Sequence, residues 1–167
     1  MNIVSELGVH QQSLPPLTIP SFITQHTGLG NRKNVDKMRY LYRKATIIYG
    51  IVCNTTNEIY VGSTWDSVRR FNKHLLSTDI SRKNKELQDA IDEHSIDRFI
   101  AYIFTKVAID RTLTKEQKKL ILRSVEQKYI DMFPKNQVFN SINSIKKSPF
   151  SYIRLVYRIG AKFLMPQ

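Results

Sequence analysis

The sequence is short of cysteine, of acidic residues and of long apolar runs. Its single cysteine, Cys53, excludes a disulfide framework and any cysteine-built zinc site. No stretch approaches the roughly 20 consecutive apolar residues that a transmembrane helix needs. The opening Met-Asn-Ile-Val-Ser-Glu-Leu has no basic region, so no secretory signal is expected. An Arg-rich presequence is not expected either, because the first Lys or Arg is Arg32 and Glu6 precedes it. A protein of this kind that works in an organelle would be made there. Asp and Glu number 14 against 26 Lys and Arg, a net charge of +12 over 167 residues. That imbalance points to a polyanionic partner, either nucleic acid or an anionic membrane surface. Hydrophobic residues make up 41% and charged residues 24%, which excludes a wholly disordered chain, and the length suits one domain.

The charge is unevenly placed. Residues 1–45 carry +4, residues 46–140 carry +3, and residues 141–167 carry +5. Two basic arms beside a nearly balanced module suit a phosphate backbone better than they suit mere solubility. A third possibility, attachment of the basic, apolar run 152–158 to a membrane surface, is weak because the run is short. Isoleucine, lysine and asparagine are abundant, which fits an AT-rich genome of an organelle, a phage or a large virus.

Pro15, Pro16, Pro20, Gly28 and Gly30 mark residues 1–30 as an irregular extension, followed by a short basic helix before residue 45. Residues 46–52 and 58–62 are rich in strand formers, and Asn54-Thr55-Thr56-Asn57 between them is turn chemistry, so a hairpin is expected. A helix should begin near Thr64, with Val68, Phe71 and Leu75 as its apolar stripe. A second helix is expected over 84–94, a buried strand over 99–104, and a longer helix from about Thr114 to Phe133, stopped by Pro134. Hairpin, helix, helix, strand, helix is the order of an α+β module with a small sheet.

Several polar residues fall where chemistry is possible. A four-residue turn pairs residue 53 with 58 and 49 with 62, so Tyr49 and Tyr60 become diagonal neighbours on one face. Tyrosines paired in this way more often pack than react. Arg70 and His74 stand four apart, on one side of their helix. Arginine offers a fork for phosphate oxygens and histidine can hold or move a proton, although a basic helix face is usually just solvated. Glu126 lies between Leu122 and Ile130 along an apolar stripe, and a buried carboxylate needs a partner or a metal. A salt bridge to Arg70 would serve as well as a cation. Asn140 follows in a loop, where asparagine is usually a turn residue.

Taken in order, Ile48-Tyr49, Tyr60-Val61-Gly62-Ser63-Thr64, Arg70, His74, Glu126 and Asn140 resemble the GIY-YIG nuclease family over about residues 46–144. Tyr49 matches the tyrosine of the first motif and Tyr60 that of the second. Arg70 and His74 match the family's helix arginine and the histidine one turn later. Glu126 matches its metal-binding glutamate and Asn140 its late asparagine. The first glycine of the family name is Ile47 here, with Gly50 just after the tyrosine. Ser63-Thr64 after Gly62 resembles the intron-encoded homing branch, whereas the excision-repair branch tends to have lysine there.

The resemblance implies a three-stranded antiparallel sheet flanked by helices, with 1–45 as a partly irregular extension, 46–144 as the nuclease domain and 145–167 as a basic tail. It also implies hydrolysis of phosphodiesters in double-stranded DNA with Mg²⁺ or Mn²⁺ held by Glu126. Arg70 would steady transition-state charge, Tyr49 would take a proton from water, Tyr60 would orient that water, and His74 would relay a proton or touch phosphate. Asn140 would support the site. Homing nucleases of this type usually carry a downstream DNA-binding region, and only about two dozen residues follow Asn143. Recognition is therefore expected to fall to the basic arms or to a partner, unless the reading frame is truncated. A mobile-element endonuclease, encoded in a mitochondrion or else in a phage or virus, is the leading expectation; a non-catalytic nucleic-acid-binding relic is the alternative.

Overall fold

A computed structural model describes residues 14–71 and 84–139. The expected hairpin is formed by β2 (Ile47–Cys53) and β3 (Glu58–Thr64). Its register pairs Cys53 with Glu58 and Tyr49 with Gly62, as the turn length requires. Asn57 closes the turn at φ 57°, a left-handed conformation that asparagine tolerates. Strand β4 (Phe99–Lys106) lies antiparallel on the other side of β2.

The sheet has a fourth strand, which corrects the expectation of three. β1 (Thr24–His26) pairs antiparallel with β4, placing Thr24 opposite Ile103, and the order is β1-β4-β2-β3. Three residues reading Thr-Gln-His carry no hydrophobic alternation, so nothing local announces them as a strand. What recruits them is the row of backbone groups on β4 that would otherwise form an open edge.

Helix α1 (Arg32–Tyr42) begins at Asn31, whose side chain accepts from the Lys33 N–H at 2.9 Å. It buries Val35, Met38 and Tyr42 against one face of the sheet. Helix α2 (Ser67–Phe71) starts two residues later than expected. Asp66, not Thr64, caps it: its carboxylate accepts from the Arg69 N–H at 3.0 Å and its carbonyl from the Arg70 N–H at 3.0 Å. Thr64 instead uses its hydroxyl to accept from the Asp66 N–H at 2.9 Å, turning the chain into the helix. Helix α3 (Lys85–His94) is capped by Asn84 and buries Leu87 and Ala90, with Ile91 half-buried beside them. Leu75 lies outside the described residues.

Helix α4 (Lys115–Ile130) covers the opposite face of the sheet. Thr114 and Gln117 form a reciprocal capping box at its start. Leu122, Val125, Tyr129 and Ile130, with Phe133 just beyond the helix, make the stripe that meets Ile48, Val52, Ile59 and Val61. One extra residue in β4, Phe104, bulges the ladder between Ile48 and Tyr49 of β2. Its ring stacks on Tyr129 with centroids 5.1 Å apart and lies over Gly50, where an added Cβ would come within 2.7 Å of it. The glycine after the tyrosine is thus a seat for the ring that docks α4. No helix among the described residues is long and apolar enough to cross a membrane.

Ahead of β1, the stretch around Pro15 is tied to the domain by two side-chain amides, Gln137 and Asn57. Gln137 donates to the Pro15 carbonyl at 2.6 Å and to the Asn57 carbonyl at 2.9 Å, while Asn57 donates to the Leu14 carbonyl at 2.8 Å. Gln137→Met keeps the volume but orphans both carbonyls, which should cost about 1–3 kcal/mol. The measurement is the urea midpoint, expected to fall with its slope unchanged; an unmoved midpoint would mean that Gln137 is not a structural tie.

Candidate active site

The hairpin register decides which side chains meet. Tyr49 and Tyr60 point to the face covered by α1 and α3, and their ring centroids lie 6.2 Å apart. Gly62, directly opposite Tyr49, makes room for them: a Cβ there would come within 2.6 Å of the Tyr49 hydroxyl and 2.9 Å of the Tyr60 ring. Phe71 of α2 meets the Tyr49 ring edge-on at 5.0 Å and wedges it in place. Arg70, one residue earlier, lays its guanidinium across both phenols. Its Nε donates to the Tyr49 oxygen at 3.1 Å and its Nη2 to the Tyr60 oxygen at 2.8 Å. Three of the six residues singled out from sequence therefore form one hydrogen-bonded unit.

Glu126 comes from the other side of the sheet. On β3, Ser63 faces α4 together with Ile59 and Val61, and its hydroxyl donates to Glu126 Oε2 at 2.5 Å. The expected alternative, a salt bridge to Arg70, is not formed; Arg70 is committed to the phenols instead. Because β3 is the edge of the sheet, carboxylate and phenols approach one another around that edge. They are close enough for the Glu126 charge to oppose ionisation of both tyrosines. Ser63 was not singled out from sequence. The signal that could have found it is parity, since residues 59, 61 and 63 share the face that the glutamate-bearing helix must cover. His74 and Asn140 lie outside the described residues.

Electrostatics in the site are set by burial. Tyr49 is 0% exposed, and desolvation, reinforced by the neighbouring Tyr60, holds its phenol well above the ordinary value of 10, against the pull of Arg70. Tyr60 is also raised by burial, but Arg70 and a hydrogen bond from the Tyr49 hydroxyl both favour its ionised form. The Tyr60 oxygen thus gathers two donors. Burial works against the charge of Arg70, but its interactions with the two phenols outweigh this and hold its pKa above the ordinary value. At neutral pH the unit is a guanidinium between two neutral phenols. Burial also raises the Glu126 carboxyl, opposed by the Ser63 hydroxyl and by the charge of Arg70.

The donor set around Glu126 is hard oxygen: one carboxylate with a hydroxyl beside it. Among the described residues no group of three or more His, Cys, Asp and Glu side chains gathers to form a dedicated cage. A single half-buried carboxylate suits Mg²⁺ or Mn²⁺, hard cations that keep several waters and share their remaining positions with phosphate.

Residues 45–137 match the GIY-YIG catalytic domain, more than half of the chain. The chain belongs to the GIY-YIG family. It is also similar to a Neurospora crassa protein named "Probable intron-encoded endonuclease 1", with 27% identity over 139 residues. That alignment covers 83% of this chain and 42% of the relative, so the chain spans less than half the relative's length. No solved structure matches it. In family terms the two motifs are Ile47-Ile48-Tyr49 and Tyr60-Val61-Gly62, and only the second keeps its glycine. The structure accounts for this asymmetry. Gly62 is required by the phenols packed over it, whereas Ile47 fills the core with a fully buried side chain.

Two outcomes follow from this geometry. Gly62→Ala should force the phenols off Arg70 and cost about 1–3 kcal/mol in thermal or urea melts, as overpacking does. An unchanged melting temperature would mean the rings yield freely. For Glu126 the sign comes from its raised pKa. Any stability it adds is complete below the unfolded-state value near 4.5 and is lost as pH rises through the higher folded-state value. Glu126→Gln, which can still accept from Ser63, should therefore melt at the same or higher temperature than the parent at neutral pH, the advantage vanishing under acid conditions. A large loss of stability at neutral pH would instead mark the carboxylate as a structural ion.

Proposed function

We propose that this protein is a divalent-metal-dependent endonuclease that hydrolyses phosphodiesters in double-stranded DNA, and that it is an intron-encoded homing enzyme. The observation that carries the reading is the convergence of one guanidinium on two phenol oxygens beside a half-buried carboxylate. Hydrolysis of a phosphodiester needs an acceptor for the proton of water, positive charge for the phosphoryl oxygens, and a hard cation. Each has a side chain here. The name of the Neurospora relative supports an intron-encoded origin, and the abundance of isoleucine, lysine and asparagine is consistent with an AT-rich genome such as a mitochondrial one.

In this reading Arg70 orients the phenols with Nε and Nη2 and turns its remaining N–H groups to a non-bridging phosphate oxygen. The attacking water gives its proton to the tyrosine pair. Tyr49 is the base expected from sequence, but its complete burial and its role as donor to Tyr60 favour the Tyr60 oxygen, with Tyr49 as the supporting donor. A phenol accepts a proton only after losing its own. Glu126, with Ser63 beside it, would hold Mg²⁺ or Mn²⁺, which when bound supplies positive charge next to the scissile phosphate. His74 and Asn140 complete the proposed set, as proton relay or phosphate contact and as support.

The test is single-turnover cleavage of duplex DNA with Mg²⁺, with and without chelator. Because burial raises both phenols, the rate should climb about tenfold per pH unit from neutral into mildly alkaline solution, tracking the phenolate fraction. Arg70→Ala should lose about 10²-fold or more, and Arg70→Lys should not restore it, because a point charge cannot hold both phenols. Tyr60→Phe should remove the pH-dependent rise, whereas Tyr49→Phe should keep it, displaced to higher pH. The reverse pattern assigns the base to Tyr49. DNA binding with no cleavage under any divalent cation would leave a non-catalytic binding module.

A further inference from the structure

The module's near-neutral charge conceals a cluster. An open groove of about 710 Å³ lies where the start of β2, the end of β4 and the first half of α4 come together. Its walls carry Lys44, Lys106, Arg111, Lys115, Lys118 and Trp65 over a small, partly apolar floor that includes Val107. No carboxylate lines it. None of the five cations forms an ion pair with a carboxylate among the described residues. The two nearest acids along the chain have closer partners. Asp110 accepts from the Thr112 N–H and hydroxyl, both at 2.8 Å, and feels Lys118 more weakly; Glu116 pairs with Lys119 at 2.9 Å and feels Lys115 more weakly.

Gathering five cations around one groove without a carboxylate is repulsive unless a polyanion fills it. Trp65 adds a second feature. It is 40% exposed, an unusual position for the largest apolar side chain, and it stands on the wall of this groove. Lysines and arginine flanking an open aromatic face make the arrangement that tracks a nucleic-acid backbone and stacks on a nucleotide.

The groove is built partly from the elements that carry the site described above. Trp65 follows Ser63, the partner of Glu126, by two residues, and Lys118 and Lys115 precede Glu126 on the same helix. At about 1.5 Å per residue Lys118 stands roughly 12 Å from Glu126 along the axis, and Lys115 roughly 16 Å. A DNA strand advances about 3.4 Å per nucleotide, so these cations would meet phosphates roughly three to five nucleotides from the cut.

We propose that this groove binds the DNA strand flanking the scissile bond on one side, with the cations on its phosphates and Trp65 against a nucleotide. The inference rests on DNA as the substrate of the proposed nuclease. Its test does not depend on cleavage, because Trp65 is the chain's single tryptophan and its emission reports on this groove alone.

The experiment titrates the full chain with duplex DNA in chelator, following Trp65 emission and mobility shift at several salt concentrations. DNA should quench or shift the emission as the complex forms. The triple variant Lys106→Gln, Lys115→Gln and Lys118→Gln should flatten the slope of log affinity against log salt by about 0.9 for each cation removed from a phosphate, roughly 2.7 in all. Trp65→Ala should weaken binding roughly tenfold and Trp65→Phe much less, since an aromatic face against the sugar or a locally unstacked base survives. Circular dichroism melts show that each variant is folded. A complex whose formation leaves both Trp65 emission and the salt slope of the triple variant unchanged overturns the proposal. So does equal quenching by polyglutamate at matched charge, which would reduce the groove to a general anion patch. If emission and slope respond but no cation supports cutting, the groove stands and the catalytic reading falls. Intact cleavage with neither response removes the groove and spares the catalytic reading.

Discussion

The guanidinium of Arg70, held between the oxygens of Tyr49 and Tyr60, is the interaction on which the rest of the site depends. A half-buried guanidinium must have its inward donors satisfied, and here two phenols on adjacent strands take Nε and Nη2. The requirement propagates outward. It fixes the hairpin register, since slipping one residue would send both phenols to the other face. It requires a residue without a side chain at Gly62, and it places the start of α2 where Asp66 can cap it with Arg70 in the first turn. Phe71 then locks the tyrosine ring from the side.

A second constraint comes from the edge of the sheet. Phenols and carboxylate approach from opposite faces, so neither hydrophobic core has to contain the whole polar site. β3 suits this arrangement because it is an edge strand, and its successive residues Gly62 and Ser63 serve the two faces in turn, one by making room and the other by donating to Glu126. A central strand such as β2 would have put a neighbouring strand in the way. The cost is a half-buried carboxyl, whose desolvation is only partly offset by Ser63 and Arg70. That residual cost is the kind that a bound cation offsets.

Much of this was legible in the sequence, and the limits have physical causes. Turn length alone placed Tyr49 and Tyr60 together, because strand parity leaves no freedom once residue 53 faces 58. The stripe of α4 was legible from its spacing, and with it the anomaly of Glu126. The partner of Glu126 was not: proximity of Ser63 depends on which face α4 covers, a tertiary fact that periodicity does not encode. β1 was missed because three polar residues pair through backbone groups, which every sequence has. The cap of α2 was misplaced by two residues, since both Thr64 and Asp66 are good caps and only the chain's direction selects between them.

The charge pattern shows the same gap between composition and arrangement. Divided along the chain, most of the basic excess falls on the two arms, and the module between them is almost neutral. Folding separates its signs. Asp36, Asp66, Asp89 and Glu116 are each paired within one helical turn of a basic residue. Local ion pairs of this kind use up acids close to their own position, so cations from distant segments, such as Lys44, Lys106 and Lys118, are left to meet without them. Net charge per segment is therefore a poor guide to where a polyanion would lie on such a domain. What matters is which acids are already paired, and none of these helical ion pairs uses a cation of the groove.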